Sequence, residues 1–195
     1  GCRLVSCSSY WDPAFGSGRC DSSVWALIFT DENGRYYVHH LEYLKVLSDD
    51  KTDEATQQCE KIAALCREYF VPSVVIETNG IGKFLPSILK RTLNKNSVSC
   101  AVIEHSNSSP KANRIIEALD AVMAAQNLYV HQDVFATNLI QEMREWSPQR
   151  RNGNDDGLDA IAGALLQEPV RIDTGRKHNR RKGWSQTSDI FQAKT

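Results

Sequence analysis

The segment Leu4-Val5-Ser6-Cys7-Ser8-Ser9-Tyr10-Trp11-Asp12-Pro13-Ala14-Phe15-Gly16-Ser17-Gly18 reads as a strand driven into a turn. Pro13 has no N–H to give a ladder and the two glycines tolerate a sharp change of direction, so the strand stops at Asp12. A carboxylate therefore stands at the C-terminal end of the first strand. Ser22 to Thr30 forms a second strand, Asp31-Glu32-Asn33-Gly34 a tight connection, and Arg35 to Leu41 a third. Connections this short imply an antiparallel meander.

Beyond the meander the hydrophobic period changes. From about Thr52, Ala55, Cys59, Ile62, Ala63, Cys66 and Phe70 recur every three or four residues, which predicts an amphipathic helix ending before Pro72. Ser73-Val74-Val75-Ile76-Glu77 is then a short buried strand closed by Thr78-Asn79-Gly80, and it too ends in a carboxylate. The pattern continues with a helix over Gly82 to Leu93, a strand over Val98 to Ile103 and a helix opened by Pro110. A short strand (Leu128 to Val130), a helix (Val134 to Glu145), a loop (Ser147 to Asn154) and a last apolar helix complete it. A meander followed by alternating helix and strand predicts an α/β fold: a mixed sheet, antiparallel then parallel, with helices on both faces.

At 195 residues the chain is long enough for one domain with a real core. Its six cysteines form no CxxC pair and no zinc-finger spacing, which points to reduced thiols in an intracellular setting. No apolar run reaches membrane-spanning length, and no export signal opens the chain. Gly1 in place of Met suggests a processed product or a piece of something larger. The net charge is −1, but from Arg171 onward seven basic residues face two acidic ones, so a basic tail follows an acidic body. Periodicity ends near Pro169, giving a domain over residues 1–170 and a basic, flexible tail over 171–195. Gly80-Ile81-Gly82-Lys83 is not a phosphate loop, because Glu77 and Phe84 occupy places that need Gly and Ser or Thr.

The last helix opens Asn154-Asp155-Asp156-Gly157-Leu158-Asp159. Asp156 and Asp159 share one helix face, and Asp155 has the place and chemistry of the cap. With Asp12 and Glu77 at strand ends, these acids make a candidate two-metal centre: two Mg²⁺ or Mn²⁺ ions about 4 Å apart need a shared carboxylate and flanking carboxylates. Lys111 and Arg114 at a helix start, with Lys83, are candidates for gripping phosphate. His39 and His40, adjacent on a strand, are expected to face opposite ways, so that at most one joins any site.

The order of motifs resembles the C-terminal nuclease domain of the large terminase subunit of tailed bacteriophages. The residues that carry the resemblance are Asp12-Pro13-Ala14 with Asp21-Ser22-Ser23, Ile76-Glu77-Thr78-Asn79-Gly80-Ile81-Gly82, Lys111-Ala112-Asn113-Arg114-Ile115, and Asp155-Asp156-Gly157-Leu158-Asp159-Ala160. It spans about residues 4 to 168 and implies an RNase H-like fold, akin to Holliday-junction resolvases, that cuts concatemeric viral DNA during packaging with two divalent ions. Carried over, Asp12 would bridge both metals, Glu77 would hold one and an Asp of the last helix the other. Asp156 is the favoured ligand, with Asp159 a second ligand or its neighbour. The resemblance further implies double-stranded DNA as substrate, a packaging ATPase domain, small terminase subunit and portal as partners, and the cytoplasm of an infected bacterium as the place of action. Since no ATPase motif is present, the chain looks like the isolated nuclease half. A resolvase or RNase H, and a silent docking module of the same fold, are the rival readings.

Overall fold

The computed structural model describes residues 2–15, 22–46, 52–79, 83–149 and 154–172. The meander forms as expected, with β1 (Leu4–Asp12), β2 (Val24–Asp31) and β3 (Tyr36–Tyr43) antiparallel in sequence. Helix α1 (Glu54–Glu68) starts at Asp53, whose side chain accepts from the Thr56 N–H at 2.9 Å. Phe70, with φ 53°, turns the chain out of it ahead of Pro72. Then come β4 (Ser73–Glu77), α2 (Leu85–Lys95), β5 (Ala101–His105), α3 (Lys111–Ala124), β6 (Leu128–Val130), α4 (Leu139–Glu145), α5 (Asp156–Leu166) and β7 (Val170–Arg171).

The sheet runs β5-β4-β1-β2-β3-β6, with β4 parallel to both β1 and β5 and β6 parallel to β3. Strand β4 pairs with β1 only at Tyr10 and Trp11, and the other end of the same edge of β1 takes β7 through Ser6 and Cys7. Strand alternation sends side chains to two cores. Trp11, Trp25, Leu27 and Ile76 meet Ile62 of α1 and Leu89 of α2 on one face. Tyr10, Ala26, Ile28 and Val75 meet Ile115 of α3 and Ile161 of α5 on the other.

Three expectations shift. The segment expected to be one helix over Val134–Glu145 is a 3-10 turn (Gln132–Ala136) followed by α4, because Thr137 adopts an extended conformation with φ −88° and ψ −179°. The fifth strand begins at Ala101 rather than Val98, after Ser97 turns through φ 54° and the Val98 N–H closes back on Leu93. His39 and His40 do not face opposite ways: Leu27 pairs with His40 and Ile28 with Val38, so His39 is the extra residue of a bulge and both imidazoles lie about 5 Å from the Tyr69 ring. The basic tail beyond Ile172 lies outside the described residues. No helix among the described residues is long and apolar enough to cross a membrane.

Ile62 is fully buried between α1 and the sheet. Ile62→Ala is expected to lower the unfolding free energy by about 2–5 kcal/mol in a urea titration, without abolishing folding.

Candidate metal centre

Because β1 and β4 run parallel with Trp11 opposite Ile76, their terminal acids Asp12 and Glu77 emerge at the same end of the sheet. Each lies two residues beyond a member of the α5-facing core, Tyr10 and Val75, so both point to the face that α5 covers. Helix α5 is buried from Asp156 to Ala164. Its small residues, Gly157, Ala160, Ala162, Gly163 and Ala164, let it lie close on the sheet and deliver Asp156 and Asp159 beside those strand ends.

Two side chains of α3 reach into this acidic group. Arg114, 5% exposed, donates through Nε to Asp159 Oδ1 at 2.7 Å and through its terminal nitrogen to Asp159 Oδ2 at 2.5 Å, and lies 3.6 Å from Glu77 Oε2. Lys111 Nζ lies 2.7 Å from Asp155, 3.1 Å from Asp156 and 3.7 Å from Asp159. Two of the three expected phosphate grips are thus engaged with carboxylates, while the third, Lys83, is exposed just before α2. Burial works against the charge of Lys111, but its hydrogen bond to Asp155 and the charges of Asp159, Asp156 and Asp155 outweigh this and raise its pKa. Arg114 is likewise disfavoured by burial and held charged by Asp159 and Glu77.

Asp12 carries the cost of the crowding. Burial first, then the negative charges of Asp159 and Glu77, push its carboxyl up to about 7, although Lys111 and Arg114 pull the other way. Asp159 is also raised by burial, in part offset by Arg114 and Lys111. Asp12, Glu77 and Asp159 therefore share one field.

Several partners of these acids carry no sequence signal of their own. The Tyr10 hydroxyl donates to Glu77 Oε2 at 2.6 Å and the Asn79 amide to Glu77 Oε1 at 2.8 Å. The Ser22 N–H donates to Asp156 Oδ2 at 2.7 Å. The turn after Asp12 is held by Gln58, whose amide donates to the Ala14 carbonyl at 3.1 Å while its oxygen accepts from Ser23, which in turn accepts from the Trp11 indole. The side chain of Asp155, expected to cap α5, makes no bond to the helix N–H groups. Glu142 of α4 does so from outside: its carboxylate, 3% exposed, accepts from the Leu158 N–H at 3.1 Å and from Tyr43 Oη at 2.7 Å. Alternation and helical spacing announce none of these contacts: apart from Asn79, two residues beyond Glu77 in an irregular turn, the partners of the acids and of the α5 cap lie far away in the chain.

Among the described residues, no three acidic, histidine or cysteine side chains converge closely enough to ligate one ion. The donor chemistry nevertheless fits hard divalent cations: carboxylates crowd together, two cationic side chains balance them, and one acid is forced toward its protonated form. Cations placed among them would supply what Lys111 and Arg114 supply in part.

An RNase H-like sheet with acids at the ends of β1 and β4 and on the helix that crosses them defines the class: the nuclease fold of viral terminases. Residues 11–128 match the family described as Terminase Bacteriophage T7, Ribonuclease H-like domain, and the chain belongs to that family. Among solved structures it is similar to the human cytomegalovirus terminase nuclease domain, with a TM-score of 0.58 and 14% identity over 83% of each chain. It is also similar to the nuclease domain of the large terminase subunit gp2 of bacterial virus Sf6, with a TM-score of 0.58 and 10% identity over 84% of this chain and 89% of that one. A K428A mutant of the Sf6 domain with manganese and beta-thujaplicinol superposes at 0.56, with 10% identity over the same shares. Among curated proteins nothing matches the chain.

The raised Asp12 sets a pH dependence. The folded protein keeps a proton on Asp12 up to about 7 that the unfolded chain releases near its ordinary value of 3.8, so this group's contribution to stability falls as pH rises between them and levels off above. In EDTA, the melting midpoint of wild type relative to Asp12→Asn is expected to fall as pH rises from about 5 to about 8, since the amide cannot ionise. A second expectation concerns the cap. A methyl at Gly157 would lie 2.1 Å from Tyr43 Oη and 2.9 Å from Glu142, so Gly157→Ala should cost about 1–3 kcal/mol in a denaturant titration by displacing the Glu142 cap.

Proposed function

We propose that this chain is a divalent-metal-dependent endonuclease that cuts double-stranded viral DNA concatemers during genome packaging. The observation that carries the reading is the convergence of Asp12, Glu77 and Asp159 in one field, with Lys111 and Arg114 balancing them. Family membership supports it, as do the manganese-containing structures of the Sf6 domain and of the cytomegalovirus domain.

Asp12 would be the central ligand, with Glu77 and Asp159 flanking it and Asp156 beside them. For the third place this reading takes Asp159 over Asp156, because Arg114 ties Asp159 and also approaches Glu77, and the charge of Asp159 helps raise Asp12. Two Mg²⁺ or Mn²⁺ ions, when bound, supply the electrophilic stabilisation that phosphodiester hydrolysis by water requires. The chain's own residues prepare for this. Arg114 fixes the plane of the Asp159 carboxylate through two parallel bonds. Lys111, 35% exposed and within 3.7 Å of three acids, would be the movable partner, its ammonium available to a DNA phosphate once cations balance those acids. Holding an ion would need Asp12 ionised, so cation binding is expected to strengthen as pH rises toward about 7. The partners of the reading are a packaging ATPase domain, a small terminase subunit and a portal, and the place is the cytoplasm of an infected bacterium.

The test is digestion of supercoiled plasmid with Mg²⁺, with Mn²⁺ and with EDTA. Wild type should nick and linearise only with a divalent ion, and Asp12→Ala should lose at least about 100-fold in rate while keeping its fold by circular dichroism. An active Asp12→Ala protein would sink the reading.

A further inference from the structure

We infer that Tyr10 and Asn79 are the positioning residues of Glu77, and that Gly163 is the residue that makes room for Tyr10. The inference rests on the metal-centre reading above and adds how one of its ligands is aimed. Glu77 ends a strand and has three rotatable bonds, and its strongest electrostatic lure is the neighbouring Arg114. Left to itself the carboxylate would close on that guanidinium and be lost as a ligand. It does not: Arg114 spends its two short bonds on Asp159 and stays 3.6 Å from Glu77.

What holds Glu77 back is a clamp on both of its oxygens. Tyr10 Oη donates to Oε2 at 2.6 Å and Asn79 Nδ2 donates to Oε1 at 2.8 Å. Each oxygen keeps a lone pair for an ion. Both donors are themselves fixed. Asn79 Nδ2 also donates to the Asn107 carbonyl at 2.7 Å, while its Oδ1 accepts from Ser106 Oγ at 3.0 Å and from the Asn107 N–H at 3.3 Å, so the loop after β5 sets the amide plane. Tyr10 is fully buried, its ring pressed on the backbone of α5. A Cβ built on Gly163 would lie 2.5 Å from Cδ1 and Cε1 of that ring and 2.8 Å from Cγ. Backbone stands on the other side of this contact, so a side chain at 163 moves the ring, and the hydroxyl leaves Glu77 with it. A phenylalanine would fill the same core; the hydroxyl, costly to bury without a partner, is there for the carboxylate.

The experiment is calorimetric titration of MnCl₂ into the full chain, with melting in EDTA measured beside it. Tyr10→Phe, which keeps the ring, is expected to weaken Mn²⁺ binding by about 10- to 100-fold without lowering the melting midpoint. Asn79→Ala, at an exposed position, should weaken it in the same sense without disturbing any core. Gly163→Ala should weaken binding like Tyr10→Phe, and the double variant should lose no more than either single one. Wild type that takes no Mn²⁺ overturns the metal-centre reading and this inference with it. Wild type whose affinity is lost with Asp12→Ala but retained with Tyr10→Phe and Asn79→Ala overturns this inference alone.

Discussion

Like charges that must share a poorly solvated corner of a protein need opposite charge close by, and most of this molecule serves that constraint. Three carboxylates share one field where β1, β4 and α5 come together, and each would be disfavoured there alone. Lys111 and Arg114 answer part of the demand. The part they leave unanswered appears at Asp12, whose carboxyl is driven up to about 7 by burial and by the charges of Asp159 and Glu77. On the proposed reading cations would balance that remaining charge, and it falls on the residue that would be their central ligand.

The fold makes that crowding unavoidable. Parallel pairing of β1 with β4 brings two strand ends to one end of the sheet, and an α5 rich in Ala and Gly lies close enough to bring its own acids to the same place. Large side chains support these elements from outside the centre. Glu142 caps α5 from α4, Gln58 ties down the turn after Asp12, and Tyr10 fills the space that Gly163 leaves open. The division of labour between the two α3 cations follows from their chemistry. The planar, doubly bonded Arg114 suits a permanent strut, while the flexible ammonium of Lys111 suits a partner that can be exchanged.

Much of this was legible in the sequence, for physical reasons that differ from element to element. The meander, the alternation of β4 and the period of α1 are local patterns, and they led to the right sheet and to helices on both faces. Asp12 and Glu77 stood out because each ends an apolar strand at a turn. The preference for Asp156 came from the resemblance, in which two acids one turn apart can both matter; spacing puts Asp156 and Asp159 on one face and does not choose between them. His39 and His40 were misjudged because a bulge depends on how β2 and β3 pair, which neither strand states by itself. The cap from Glu142 and the Tyr10 bond to Glu77 were illegible for the same reason: a partner 16 or 67 residues away leaves no local trace.

The central claim is that the acids of β1, β4 and α5 form a cation site held in balance by Lys111. Its most direct test is a crystal of the protein soaked in Mn²⁺ and measured at the manganese absorption edge. The account predicts anomalous peaks among Asp12, Glu77 and Asp159, with the Lys111 ammonium displaced from those acids. A map with no peak there, and Lys111 still bonded to Asp155, Asp156 and Asp159, would contradict it.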